Sequence, residues 1–161
     1  MDGSSRQLIG LGHDFQSVDE LRNAVALRTP GVFFTSAEIR RFASAVNPSE
    51  SMAAGFAAKE ALFKALPAAR IPWFWTDAEL VHDRHGAPLF RAHGSLADHL
   101  ARRRMRVNVS LSHSGGYVSS VVLVTGGRAA GHGLHSTLTR TGRTVLRVLR
   151  RIATRSAGAA R

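Results

Sequence analysis

The segment Gly55-Phe56-Ala57-Ala58-Lys59-Glu60-Ala61-Leu62-Phe63-Lys64-Ala65-Leu66 constrains the chain more than any other. It holds no proline and no β-branched residue and is rich in alanine, so it is predicted to form a firm helix. At helical spacing Phe56, Glu60 and Lys64 share one stripe, and Ala57, Ala61 and Ala65 share the next. An otherwise apolar helix therefore carries a carboxylate and an amine beside a face small enough for close packing. Taken alone, the pair also reads as a surface Glu–Lys contact contributing about 0.3–0.5 kcal/mol.

The 161 residues suffice for one domain with a real core and room for a tail. The absence of cysteine excludes a disulfide framework and a thiolate metal site. No apolar run approaches a membrane span, and the polar stretch Met1 to Gln7 lacks the core of a signal peptide, so a cytoplasmic protein is expected. The net charge is +11, but from Arg128 onward there are eight arginines and no acidic residue, which leaves +3 for residues 1–127. The basicity thus belongs to the tail, and nucleic-acid binding by the folded part is not expected. The division expected is a domain over residues 1–127 and a basic, flexible extension over 128–161.

Leu8-Ile9-Gly10-Leu11-Gly12 is predicted to be a strand whose glycines let a neighbouring backbone approach, with Asp14 following its end. Ser17-Val18-Asp19-Glu20 and Thr35-Ser36-Ala37-Glu38 read as capping boxes, opening helices to about Leu27 and Val46. Asn47 starts the long helix and Pro67 stops it. Ile71 to Thr76 reads as a packed loop. Ala78–His82 and Leu89–Ala92 read as paired strands around a turn at Gly86, and Ser95 as the cap of a short helix. Val107–Ser112 alternates as a half-buried strand, His113–Gly116 is its turn, and the apolar Tyr117–Val124 returns as a central strand. Thr144 to Ala153 has the pattern of a basic amphipathic helix, with Val145, Leu146, Val148, Leu149 and Ile152 set against Arg147, Arg150 and Arg151.

Three features fall at element ends: Asp14, the Lys59-Glu60/Lys64 group, and Ser112-His113. Two carboxylates from different elements suit Mg²⁺, which keeps several waters and shares its shell with substrate phosphates. Lysines and a histidine nearby suit further phosphate oxygens. Such parts fit phosphoryl transfer, where positioning and charge neutralisation dominate. Bland readings exist for each: Asp14 as a cap, Ser112-His113 as a hairpin end, Trp73 and Trp75 as packing.

In order, Gly10-x-Gly12-x-Asp14, Phe33-Phe34-Thr35-x-x-Glu38, Phe56-Ala57-Ala58-Lys59-Glu60-Ala61-x-x-Lys64-Ala65 and Leu111-Ser112-His113 resemble the signatures of the holo-acyl-carrier-protein synthase group of 4′-phosphopantetheinyl transferases. The resemblance spans about residues 8–124, and its middle motif is the specific one. It implies an α+β fold with an antiparallel sheet packed by helices, and a homotrimer with sites at subunit boundaries. It further implies transfer of 4′-phosphopantetheine from coenzyme A to a serine of an acyl carrier protein, releasing adenosine 3′,5′-bisphosphate. Carried over by residue, Asp14 and Glu60 would hold Mg²⁺, and Glu60 and Lys64 would serve the reaction. Lys59, Ser112 and His113 would contact coenzyme A. Glu60 and a metal-bound water are both open as the base. The choice among carriers of fatty acid, polyketide or peptide synthesis is also open.

The chain departs from the group's pattern at Gly55, where arginine is common, and at Pro67-Ala68-Ala69-Arg70, where glycines are usual; both touch the region expected to hold coenzyme A. His13 beside the motif reads as structural, since Mg²⁺ prefers oxygen. The carrier is acidic, so Arg22 and Arg28 are its expected docking residues, followed by Arg40 and Arg41. Two rival readings are a non-catalytic relative that binds coenzyme A or a carrier protein, and a tail-driven binder of nucleic acid or a membrane surface. A tail without function is the preferred reading of residues 128–161.

Overall fold

A computed structural model of the chain describes residues 6–66 and 73–126. The expected Pro67 stop, the segment through Ile71, and everything from Gly127 onward, including the amphipathic pattern at Thr144–Ala153, lie outside the described residues.

The first strand, β1, runs Gln7–Ser17 and is longer than its apolar run. Two short helices follow, α1 (Val18–Leu21) and α2 (Val25–Arg28), then α3 (Ser36–Ala43) and the long α4 (Pro48–Ala65). Strands β2 (Ala78–His82) and β3 (Pro88–Ala92) form a hairpin, α5 spans Gly94–Arg102, and β4 (Arg106–Ser114) and β5 (Tyr117–Gly126) complete the fold. The main sheet is antiparallel with order β1-β5-β4, and β2-β3 forms a second sheet. The α+β expectation and the central place of the Tyr117 strand both hold.

Helix α4 lies across the main sheet, where Gly10 and Gly12 of β1 meet it. A Cβ on either glycine would overlap the carbonyl oxygen of Ala65 or Ala61 respectively. Ala57, Ala61 and Ala65 are buried, so a stripe without bulk on the helix meets a strand face without side chains. Gly12→Ala forces backbone against backbone. We expect a loss of about 3 kcal/mol, measured as a lower denaturation midpoint with an unchanged m-value; an unchanged midpoint would mean that the seam is not tight.

Two apolar clusters flank the middle of α4. Val18, Leu21, Leu27, Phe33, Phe34, Phe42 and Phe56 surround its first half, and Leu62, Leu66, Leu96, Val122 and Val124 its second. Gly55 belongs to the first: a Cβ there would stand 2.5 Å from Phe42 Cζ. Its lack of a side chain therefore has a packing cause in this chain.

Several local expectations are corrected. Val18–Leu27 is not one helix: α1 ends at Leu21 and α2 begins at Val25, and Leu21 and Leu27, which a straight helix would set about 120° apart, are both fully buried. The chain breaks between them, and Ser17 makes no side-chain cap bond. Helix α3 stops at Ala43, three residues short of Val46. Helix α5 has His93 at its N-cap position, without a side-chain cap bond, and Ser95 lies inside the helix. Trp75–Asp77 forms a single 3₁₀ turn where a loop was expected. Asp14 lies inside β1, because pairing with β5 continues to Ser17↔Tyr117. No described helix is long and apolar enough to cross a membrane.

Candidate active site

Strand alternation turns Gly10, Gly12 and Asp14 toward α4 and leaves Leu11, His13 and Phe15 on the open face. The close seam brings Asp14 beside the Glu60–Lys64 turn of the helix. Asp14 is buried at 3 % side-chain exposure, and Lys64 Nζ donates to its Oδ1 at 2.6 Å and to the His13 carbonyl at 3.0 Å. Gln16, two residues along the same strand face, donates to Asp14 Oδ2 at 2.6 Å.

Lys64 thus pairs across to the strand, and the surface Glu–Lys reading is excluded. Glu60 is 2 % exposed, and neither of its carboxylate oxygens has a hydrogen-bond partner. Its pKa is pushed up to about 7, chiefly by burial and then by the Asp14 charge, with Lys64 pulling the other way. Ser120 sits opposite Asp14 in the register and is also buried with an unpartnered hydroxyl. An unpaired buried carboxylate is costly and calls for a cation or a proton.

These residues fit Mg²⁺. The unpartnered oxygens of Glu60 on α4, the Asp14 carboxylate on β1 and the Ser120 hydroxyl on β5 are a purely oxygen donor set drawn from three elements. Mg²⁺ takes one or two carboxylates and completes its shell with water and phosphate. Among the described residues no group of three or more His, Cys, Asp and Glu stands together, so a richer protein cage for a softer metal is not built there. His13 points away, sharing a hydrogen bond with Ser119 Oγ at 3.0 Å; its structural reading stands.

The end of β4 supplies Ser112 and His113. His113 Nδ1 lies 3.3 Å from Glu50 Oε1, in the first turn of α4. Both residues line an open cleft of about 170 Å³ with Phe15, Ser114, Tyr117, Val118 and Ser119. Phe15 and Tyr117 stack at 5.1 Å along it. Asp14 and Glu60 do not line this cleft; they lie toward the helix.

Lys59 is a correction. It is fully buried, and its ammonium donates to the Phe33 carbonyl, Glu38 Oε2 and the Trp75 carbonyl, each at 2.9 Å. All three of its donors are thereby used, and none remains for coenzyme A. Desolvation lowers its pKa, opposed by Glu38. Glu38 in turn accepts from Thr35 N and Leu80 N while Thr35 Oγ1 accepts from Glu38 N, so the expected capping box exists and is tied into the core. The second arginine pair is also corrected in part: Arg41 donates to the Leu80 carbonyl and packs on Phe42. Arg22 and Arg28 are exposed; Arg22 pairs with Asp19 at 2.8 Å, and Arg28 donates to the Arg22 carbonyl at 2.6 Å.

Gln16, Glu50 and Ser120 escaped the sequence reading. Gln16 had a usable signal, its two-residue offset from Asp14, and Ser120 interrupts an apolar strand. Glu50 had none, because its partner is more than sixty residues away.

A strand carboxylate and a helix carboxylate, steadied by lysine and set near an exposed Ser-His strand end, are the makings of a site for phosphate-bearing substrates. The family model of the 4′-phosphopantetheinyl transferase superfamily matches residues 10–122, and the chain belongs to that family. The holo-[acyl-carrier-protein] synthase of Clavibacter michiganensis is 40% identical over 120 residues, covering 73% of this chain and 95% of that protein. The synthase of Streptomyces avermitilis is 37% identical over 123 residues, covering 74% and 98%. The structure of the Mycobacterium tuberculosis acyl carrier protein synthase superposes with a TM-score of 0.59 at 32% identity, covering 74% of this chain and 99% of that one.

Proposed function

We propose that this chain transfers 4′-phosphopantetheine from coenzyme A to a serine of an acyl carrier protein in the cytoplasm, releasing adenosine 3′,5′-bisphosphate. The observation that carries the reading is the unpartnered, buried Glu60 carboxylate facing Asp14. Asp14 and Glu60 would hold Mg²⁺, which when bound offsets the charge of the pyrophosphate. Lys64 keeps Asp14 in place and presents positive charge toward the transferred phosphate. Ser112 and His113 would hold phosphates of coenzyme A at the cleft, and Arg22 and Arg28 would meet the acidic carrier.

The serine oxygen forms a bond to the pantetheine-bearing phosphorus, and the bond from that phosphorus to the bridging oxygen of the bisphosphate breaks. The serine proton must leave. Glu60 and a metal-bound water are the two groups placed to accept it: Glu60 titrates at about 7 in the metal-free site, and a bound Mg²⁺ would lower that value while making a bound water more acidic.

The open face of the main sheet supports a homotrimer. Leu11, Phe15, Tyr117, Val121 and Leu123 are 59%, 57%, 47%, 37% and 41% exposed, an apolar surface that single chains rarely leave uncovered. The Phe15–Tyr117 cleft opens at the margin of this face, as a site completed by a second copy requires. Leu123→Glu is expected to give monomers by light scattering and to cost most of the transfer activity. Fully active monomers would overturn the assembly.

The function is tested by the intact mass of an acyl carrier protein incubated with this protein, coenzyme A and Mg²⁺, beside an EDTA control. A phosphopantetheine-sized gain that EDTA abolishes is expected. No gain with any of several carrier proteins would favour a relative that binds without transfer.

A further inference from the structure

One end of the main sheet carries a cluster that the active site does not use. Arg102 and Arg103 lie at the close of α5, Arg104 turns the chain with φ 49°, and Arg106 opens β4; all four are exposed. Arg6 joins them by donating to the Arg104 carbonyl at 3.4 Å. None of the five makes an ion pair among the described residues. No acidic residue follows Asp98 in the sequence, whereas twelve arginines do. The pKa of the nearby His99 is lowered chiefly by burial and further by Arg103 and Arg102.

The strand register supplies an independent observation. Thr125 pairs with Arg106, and Gly126 pairs with Gln7. The chain therefore leaves β5 at this same corner, and eight more arginines follow in the sequence.

The partner is decided by the sequence of residues 143–152, which lie outside the described residues. At helical periodicity Val145, Val148, Leu149 and Ile152 share one side, and Arg143, Arg147, Arg150 and Arg151 share the other. Phosphate backbones of nucleic acid need only the charge. A lipid surface uses both the charge and the apolar side.

We propose that this arginine pole docks the protein on a membrane surface bearing anionic phospholipid headgroups. His113 lies seven residues from Arg106 along β4, about 24 Å, so the phosphate-binding end stays clear of the surface.

The test is flotation of the full chain with phosphatidylcholine vesicles, with and without phosphatidylglycerol. The Arg102→Gln/Arg103→Gln variant and a DNA duplex of equal phosphate concentration run beside it. Binding is expected only where phosphatidylglycerol is present. The double variant should bind about twenty-fivefold more weakly, since each arginine near such a surface contributes about fivefold. Its melting temperature and its transfer activity in solution should match the wild type. Absence of binding, equal binding to uncharged vesicles, or undiminished binding by the double variant would overturn the proposal. So would preference for the duplex over the vesicles, which would assign the pole to nucleic acid.

Discussion

The Glu60→Gln variant is expected to stay folded and to transfer phosphopantetheine at least about a thousandfold more slowly than wild type, equivalent to about 4 kcal/mol. The substitution keeps shape and removes the charge that the proposed divalent cation would need and one of the two proposed bases for the serine proton. A second readout separates this from mere loss of packing. The Glu60 carboxyl titrates at 4.5 when exposed and at about 7 in the folded protein without metal. Between those values the folded state holds more protons than the unfolded one, so stability falls as pH rises. The full benefit is present below 4.5 and is gone above about 7. Metal-free wild type should therefore lose about 3 kcal/mol across that window. Glu60→Gln should lose none of it. Parallel stability curves for the two proteins, together with retained transfer, would remove Glu60 from the site.

Lys59→Ala should have the largest effect on stability. It leaves the Glu38 carboxylate buried without its cation and strips a donor from the Phe33 and Trp75 carbonyls. Breaking a buried pair on one side costs about 3–5 kcal/mol, a large part of the 5–15 kcal/mol typical of a domain. Chemical denaturation should show that loss. The Lys59→Met/Glu38→Gln double variant should recover part of it, because no lone charge stays buried. A phosphate-binding lysine behaves otherwise. If Lys59→Ala melted like wild type and only raised the KM for coenzyme A, its interior role would be wrong.

The neighbouring pair Lys59-Glu60 shows how far the sequence could be read. Helical periodicity put Phe56, Glu60 and Lys64 on one stripe, and Glu60 and Lys64 do stand beside Asp14 of β1, while Phe56 packs on Phe33. The resemblance, not the period, set Lys59 among the coenzyme A contacts. Neither showed that residue 59, one position around the helix, points at carbonyls brought in by Phe33 and Trp75. Partners that far along the chain leave no trace in a local period. The glycine–alanine seam was legible because both halves are written as absent side chains. The break between α1 and α2 was not, because a helix signal at Val18 says nothing of the need to bury Leu27. Asp14 was found as a residue and misplaced as to element, since strand length is set by the partner β5.

The seam between Gly10, Gly12, Ala61 and Ala65 has a bearing on how the protein fails. Contact of backbone with backbone has no slack to yield gradually, unlike a layer of long side chains that can repack. The two carboxylates hang on opposite sides of that contact. Their separation is therefore set by atoms that cannot be trimmed. Thermal inactivation and melting are expected to coincide, and loss of transfer activity well below the melting temperature would show slack in the seam.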